Sequence, residues 1–267
     1  MPKQIAFLTK HGKELIVAPI LKASLSLELV HTFDFDTDKL GTFDHEIKRT
    51  LSAKDTALKK AHLACKLTGL SAGLGSEGSF NQSMGLGVMD QEILAFVDLT
   101  NNIEIIAWHS AAVSLSTKTL HNEGELVELL RQFPNQAWHI AQSGAAHAKL
   151  VEKGVVGISA LKRAFETKAF PQYLVPDFRS MHCPERQRVI AGATRDLVER
   201  INAHCPNCGF PDFFFEHEQK GLPCGICEAP TQLAKAIAAN CGKCGHKESR
   251  ALEQQSASSF YCSFCNP

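Results

Sequence analysis

The chain has 267 residues, ten of them cysteine, and its 28 lysines and arginines balance 28 aspartates and glutamates. A net charge of zero supplies no global field that would hold it on nucleic acid or on an acidic membrane, so any polyanion binding must be local. The length admits one large domain or a domain with an appendage, and the 44% hydrophobic content is enough for a core.

In chain order, "QIAFLT" predicts a strand, and "APILKASL" a helix in which Pro19 is tolerated only in the first turn. "LELVHTF" is a second strand, followed by the polar loop "DFDTDKLGTFDHE" with Asp34, Asp36, Asp38, Asp44 and Glu46. "SAKDTALKKAHLACKLTG" carries Ala57, Ala61, Ala64 and Leu67 at helical spacing, with Ser52 or Asp55 as cap and Gly69 as stop. Next comes "GLSAGLGSEGSF", expected as a helix end, a short strand of small residues and a turn holding Glu77. Its glycines leave a backbone that something can approach closely.

"EILAFVDLTNNIEIIAWHSAAV" predicts two strands joined at Thr100-Asn101-Asn102. "NEGELVELLRQF" reads as a helix, "NQAWHIAQ" as a strand and "ISALKRAFETKAF" as a further helix. Residues 184–203 form the cleanest amphipathic helix, opened by Pro184 and striped by Val189, Ile190, Ala193, Leu197 and Ile201. The fold class expected is α/β, a mixed sheet with flanking helices over residues 1–170. A linker and helix follow over 171–203, then a cysteine module over 204–267.

The longest apolar run near the start, "LIVAPIL", is far shorter than the roughly 20 residues of a spanning helix. The opening "MPKQIAFLTKHGKE" lacks the sections of a signal peptide, so a cytoplasmic location is expected, where paired cysteines bind metal. Four CxxC pairs fall after residue 204: Cys205/Cys208, Cys224/Cys227, Cys241/Cys244 and Cys262/Cys265. Fifteen residues separate Cys208 from Cys224 and seventeen separate Cys244 from Cys262. Both gaps fit two four-cysteine zinc ribbons paired sequentially, with a cross-brace joining the first pair to the third as the alternative. Two structural Zn²⁺ ions are expected. Five basic residues face six acids over 205–267, and ionised thiolates add negative charge, which disfavours nucleic acid as a partner.

The run "DTALKKAHLACKLTGLSAGLGSEGSF" resembles the central segment of the house-cleaning nucleoside triphosphate pyrophosphatases of the inosine-triphosphatase-like group. Asp55, Ala57, Lys60 and Ala61 match that family's E-N-A-x-x-K-A helix, with Thr56 in place of asparagine, and Glu77 falls in its acidic turn beside Ser76. "LTKHGKE" is similar to the family's T-x-N-x-x-K triphosphate loop: Thr9 matches, His11 replaces asparagine and Lys13 comes one residue early. Through "TKHGKE", "GTF", "SEGSF", "GLPC" and the closing "CNP" the whole chain also resembles a bacterial family described only as a domain of unknown function.

The resemblance implies Mg²⁺-dependent binding, and pyrophosphohydrolysis, of a nucleotide or phosphorylated small molecule. Glu77, Asp55 and Lys13 are then the catalytic residues, and Thr9, Lys10, His11, Lys60 and Ser76 line the substrate site. The residues themselves agree in kind, since lysines at a strand-to-helix junction suit an anion and carboxylates suit Mg²⁺. "DFRSMHCPER" adds Arg179, His182 and Arg186 as phosphate or carboxylate binders. Cys183 next to His182 invites a thiol-nucleophile reading that strict adjacency argues against. The rival reading is a non-catalytic zinc-ribbon adaptor with a degenerate α/β pocket, whose ribbons contact a protein; a homodimer is left open.

Overall fold

The computed structural model describes residues 2–37, 51–83, 87–145, 148–165 and 170–267. The loop acids Asp38, Asp44 and Glu46 lie outside these residues. Two compact units divide the chain, Met1–Leu197 and Val198–Pro267. The architecture is mixed α/β, with three separate sheets among the described residues.

Unit 1 opens with β1 (Gln4–Leu8), α1 (Glu14–Leu25) and β2 (Glu28–Thr32). It continues with α2 (Ala53–Thr68), β3 (Ala72–Ser83), β4 (Gly87–Asp98) and β5 (Ile103–Val113). The first sheet has the order β2-β1-β3-β4-β5. β2, β1 and β3 run parallel, whereas β3-β4-β5 is a long antiparallel meander. The β4–β5 turn falls where Thr100-Asn101-Asn102 predicts it. There the Asp98 carboxylate accepts from the Thr100 and Asn101 N–H groups, and Asn102 takes φ 52°.

Helix α2 begins and ends as its sequence dictates. The Ser52 hydroxyl accepts from the Asp55 N–H, and Gly69 closes the helix at φ 74°. Helix α1 corrects an expectation. It starts at Glu14, so Pro19 lies inside it rather than in its first turn. The carbonyl deprived of a donor is that of Leu15, an exposed residue, where water can replace the missing bond.

Glu77 corrects another. It does not sit in a turn, because β3 runs unbroken through it and pairs Glu77 with Ile93 of β4. The glycines around it have a packing cause. A Cβ at Gly73 or Gly75 would overlap the carbonyl oxygens of Ala61 and Ala57 on α2, so these glycines let the helix lie against the strand. A Cβ at Gly78, on the other face of β3, would overlap the Glu92 carboxylate and the Arg186 guanidinium. The bare backbone therefore admits a helix on one face and an ion pair on the other.

The second sheet has the order β6-β9-β7-β8 and is antiparallel throughout. It comprises β6 (Lys118–Leu120), β7 (Ala137–Ala141), β8 (Leu150–Val156) and β9 (Gln172–Pro176). With α3 (Glu123–Gln132) and α4 (Ile158–Phe165) it encloses a core containing Leu126, Trp138, Leu161 and Leu174. The segment expected as a linker, 171–183, thus includes an inner strand, β9. Its pattern escapes a sequence reading because five residues with Pro176 at the end carry little alternation. Helix α5 (Pro184–Asn202) is as expected, and its five stripe residues are all buried.

Unit 2 is a three-stranded antiparallel meander, β10 (His217–Lys220), β11 (Ala234–Asn240) and β12 (Lys247–Ala251), with a cysteine tetrad at each end. Among the described residues no helix is long and apolar enough to cross a membrane.

Candidate functional site

The eight late cysteines form two tetrads, Cys205/Cys208/Cys241/Cys244 and Cys224/Cys227/Cys262/Cys265, with the Sγ atoms of each within 4.8 Å of one another. This is the cross-brace and corrects the sequential pairing. The meander supplies the reason. Knuckle 241–244 directly follows the end of β11, and 205–208 packs there through Phe213, which shares a cluster with Ala239 and Cys241. Knuckle 224–227 follows β10 at the other end of β11, where Cys224 bridges to Ala257 ahead of the last pair. Seven residues of β11 span about 20 Å at the usual strand rise. Consecutive pairs are therefore held apart while alternate pairs meet.

One backbone motif is used four times. The N–H after the second cysteine donates to the carbonyl of the first, from Gly209 to Cys205, Glu228 to Cys224, Gly245 to Cys241 and Asn266 to Cys262, at 2.8–3.1 Å. Gly209 and Gly245 take left-handed φ of 69° and 72°, the freedom that glycine supplies. Backbone N–H groups of Ile226 and Cys244 also point at Cys224 and Cys241 sulfurs, at 3.4 and 3.5 Å. Inter-knuckle Sγ–Sγ distances are 3.8 and 3.6 Å in the first tetrad and 3.9 and 3.6 Å in the second. Four thiolates at about 2.3 Å from a tetrahedral Zn²⁺ stand about 3.8 Å apart. Each tetrad can hold one metal ion, and its all-sulfur donor set is consistent with zinc.

In unit 1 a cleft of about 400 Å³ lies where β1 and β2 end, lined by Thr9, Lys10, His31, Phe33, Asp34, Phe35 and Asp36. Adjacent parallel strands place their outgoing loops side by side, which makes such ends the usual ligand crevice of open α/β sheets. Lys10 reaches Asp36 at 2.9 Å, both half-exposed. The His31 Nε2 contacts the Thr9 carbonyl oxygen at 2.8 Å, tying the two loops together.

The remaining predicted residues are distributed rather than gathered. Lys13 is buried: its Nζ donates to Ser76 Oγ and to Glu92 Oε2, both at 2.7 Å. Glu77, next along β3 and so on the opposite face, accepts from Lys60 Nζ of α2 at 2.6 Å. Asp55 is exposed and takes part in the α2 cap, accepting from Ser52 Oγ at 2.6 Å. One cleft lined jointly by Lys13, Asp55 and Glu77 is thus replaced by separate pairings. His11 offers its backbone carbonyl to Ser180 Oγ.

Residues the sequence reading missed dominate the interior. Asp90, Glu92, Leu94 and Phe96 alternate along β4 onto one face, and all are buried. That period-2 run was the available signal, overlooked because two of its members are acids. Arg186, at the start of α5, donates from Nε to Glu92 Oε1 at 2.6 Å and from Nη1 to the Phe178 carbonyl at 2.6 Å. Burial alone would raise the Glu92 carboxyl, but Arg186 and Lys13 hold it below the usual range. Burial also lowers Lys13, against the pull of Glu92. Among the described residues neither carboxylate oxygen of Asp90 has a hydrogen-bond partner, and burial with Glu92 nearby pushes the group up to about 7.

Arg186 is therefore separate in role from Arg179 and His182. Those two surround Asp177, a fully buried carboxylate after β9. Arg179 Nη2 reaches Asp177 Oδ2 at 2.6 Å, with His182 Nε2 at 4.0 Å and His139 Nε2 at 3.6 Å from the same carboxylate. The Gly154 N–H donates to His139 Nδ1 at 3.0 Å, so both His139 nitrogens are engaged. Burial would raise Asp177, but bonds from Arg179 keep it low. Cys183 packs in the core of the second sheet, and burial pushes its thiol up to about 11, which disfavours the thiolate a nucleophile needs.

No curated protein and no solved structure matches the chain. A family model does match, over residues 60–267. The matched stretch runs from within α2 through both tetrads, so it takes in the buried Glu92–Arg186 pair, the Asp177 cluster and all eight cysteines of the tetrads. On that match the chain belongs to the family described as a domain of unknown function, DUF6671.

Proposed function

We propose that unit 1 binds a nucleotide or similar phosphorylated small molecule, with Mg²⁺, in the cleft at the carboxyl ends of β1 and β2. The observation that carries this reading is the composition of that cleft. Lys10 and Thr9 supply a cation and a hydroxyl for phosphate, while His31, Phe33 and Phe35 supply rings on which a base can stack. Asp34 and Asp36 on the same wall are oxygen donors of the kind Mg²⁺ prefers. The parallel β2-β1-β3 half joined to a long meander also suits the inosine-triphosphatase-like architecture.

Pyrophosphohydrolysis needs, in addition, a carboxylate that can position water. Glu77 is the carboxylate the resemblance assigns to that role; it does not line the cleft but lies at a point of β3 beyond its last pair with β1, held by Lys60. The tetrads carry structural Zn²⁺, since four thiolates leave no coordination position for substrate. Reduced thiolates of this kind suit the cytoplasm.

A panel of nucleoside triphosphates, diphosphates and monophosphates with Mg²⁺ or Mn²⁺ tests the reading, by calorimetry for binding and by release of pyrophosphate and orthophosphate. Lys10→Ala and Phe33→Ala should each weaken binding by about tenfold, the worth of one charge-assisted or stacking contact. Turnover that survives Glu77→Gln assigns this residue to packing with Lys60 alone. A panel that neither binds nor reacts removes the proposal.

A further inference from the structure

The two tetrads share a backbone but not a surface. In each CxxC knuckle the residue before the second cysteine sits at the tip. In the first tetrad those residues are Asn207 and Lys243; in the second they are Ile226 and Phe264, exposed by 74% and 76%. Phe260 and Tyr261, exposed by 71% and 54%, enter the last knuckle with ring centroids 5.3 Å apart. Metal geometry does not require apolar tips, because the first tetrad forms the same backbone hydrogen bonds with polar ones. Nor do the four belong to a core. Large apolar side chains concentrated on one exposed lobe mark a docking surface.

Charge identifies what docks. Residues 221–234 and 251–267, which build this lobe, contain no lysine, arginine or histidine, and they carry Glu228 and Glu253. Four thiolates around Zn²⁺ leave a further net charge of about −2. Lys220, Lys235 and Arg250 flank these segments, but the apolar tips themselves are bordered by acids and thiolates, which disfavours a phosphate backbone there in spite of the aromatic rings. An apolar surface set in negative charge complements apolar side chains flanked by positive ones.

We infer that the lobe built on Cys224, Cys227, Cys262 and Cys265 docks a cationic amphipathic segment of a partner protein. Apolar side chains of that segment seat on Ile226, Phe260, Tyr261 and Phe264, and its lysines or arginines face Glu228, Glu253 and the thiolate cluster. The surface is independent of the phosphate cleft, so either reading can fail without the other.

The test uses the full zinc-loaded chain and a fluorescent helical peptide of leucine and lysine with its leucines on one face. A leucine–glutamate peptide of the same pattern and a single-stranded oligonucleotide serve as comparisons. The lysine peptide should bind about tenfold or more tightly than the glutamate peptide, and added salt should weaken it. Ile226→Ser with Phe264→Ser should reduce binding at least about tenfold, and Glu253→Lys should reduce it separately, with two zinc ions per chain retained. Asn207→Ser with Lys243→Ser, the matched change at the other tetrad, should leave it unaltered. Equal binding of both peptides, wild-type binding by the Ile226/Phe264 variant, or binding of the oligonucleotide overturns the inference. So does concentration-dependent self-association abolished by the same variant, which would make a second copy of the chain the occupant.

Discussion

Unit 1 buries large side chains such as Phe7, Phe96 and Trp138 completely, and can therefore tolerate Lys13, Glu92, Asp90 and Arg186 in its interior. Unit 2 buries mostly small side chains and cysteines, with Ile201, Phe213 and Leu222 its large buried apolar residues, and its outer strands β10 and β12 are largely exposed. A unit of 70 residues (198–267) with so small a core is near the limit of what apolar burial stabilises, and a metal ion in each tetrad is what would make up the difference. Unit 1 offsets buried charge with a large apolar core; unit 2 has little such core and instead gathers its cysteines into two tetrads that can each hold a metal ion. The contrast shows that one chain can bury charge inside a large apolar core and elsewhere place sulfur donors where a metal can organise a small one.

Zinc removal should separate the two most sharply. Structural zinc contributes about 10–16 kcal/mol in small modules, so chelation should unfold unit 2 while unit 1 keeps its circular dichroism and hydrogen-exchange protection. Simultaneous loss of both units would break the comparison. Within unit 2, Cys244→Ser should release one zinc and loosen knuckles 205–208 and 241–244, leaving 224–227 and 262–265 ordered by NMR. Loosening of 262–265 instead would contradict the cross-brace.

Next in size is Glu92→Gln. It keeps the shape but leaves Lys13 and Arg186 buried without their shared carboxylate, at a cost of about 3–5 kcal/mol in urea denaturation. A loss under about 1 kcal/mol would show that the interior is better solvated than its burial implies.

Stability should also depend on pH through the same cluster, with opposite signs for two neighbours. The folded pKa of Asp90 is raised, to about 7. Its contribution is therefore complete below the carboxyl's unfolded value and is lost as pH rises through about 7. Glu92 is lowered, so its contribution is present above its unfolded value and lost as pH falls through the acid range. Asp90→Asn should flatten the loss between about pH 4 and 7 while the loss through Glu92 in the acid range remains. A variant with an unchanged profile would exclude Asp90 as its source.

The smallest effect sharpens the local end of the comparison. Ser52→Ala removes the α2 cap and should cost about 1 kcal/mol, read by thermal or chemical melting of unit 1 with zinc content unaltered.

What the sequence determined alone was whatever depends on near neighbours along the chain. Ser52 and Gly69 bound α2 because capping and left-handed φ are local events, and α5 shows its stripe because a 3.6-residue period repeats over 19 residues. The four knuckles were legible too, since each CxxC turn closes on itself. Tertiary structure alone decided which knuckles meet, because that depends on how β10, β11 and β12 run past one another. It alone decided that Gly73 and Gly75 face α2, that Lys13 and Glu77 lie on opposite faces of β3, and that Glu92 takes two cations from α5 and the β1 loop. Those partners are 94 and 79 residues away in sequence, and no local pattern encodes a pairing closed only when separate elements pack.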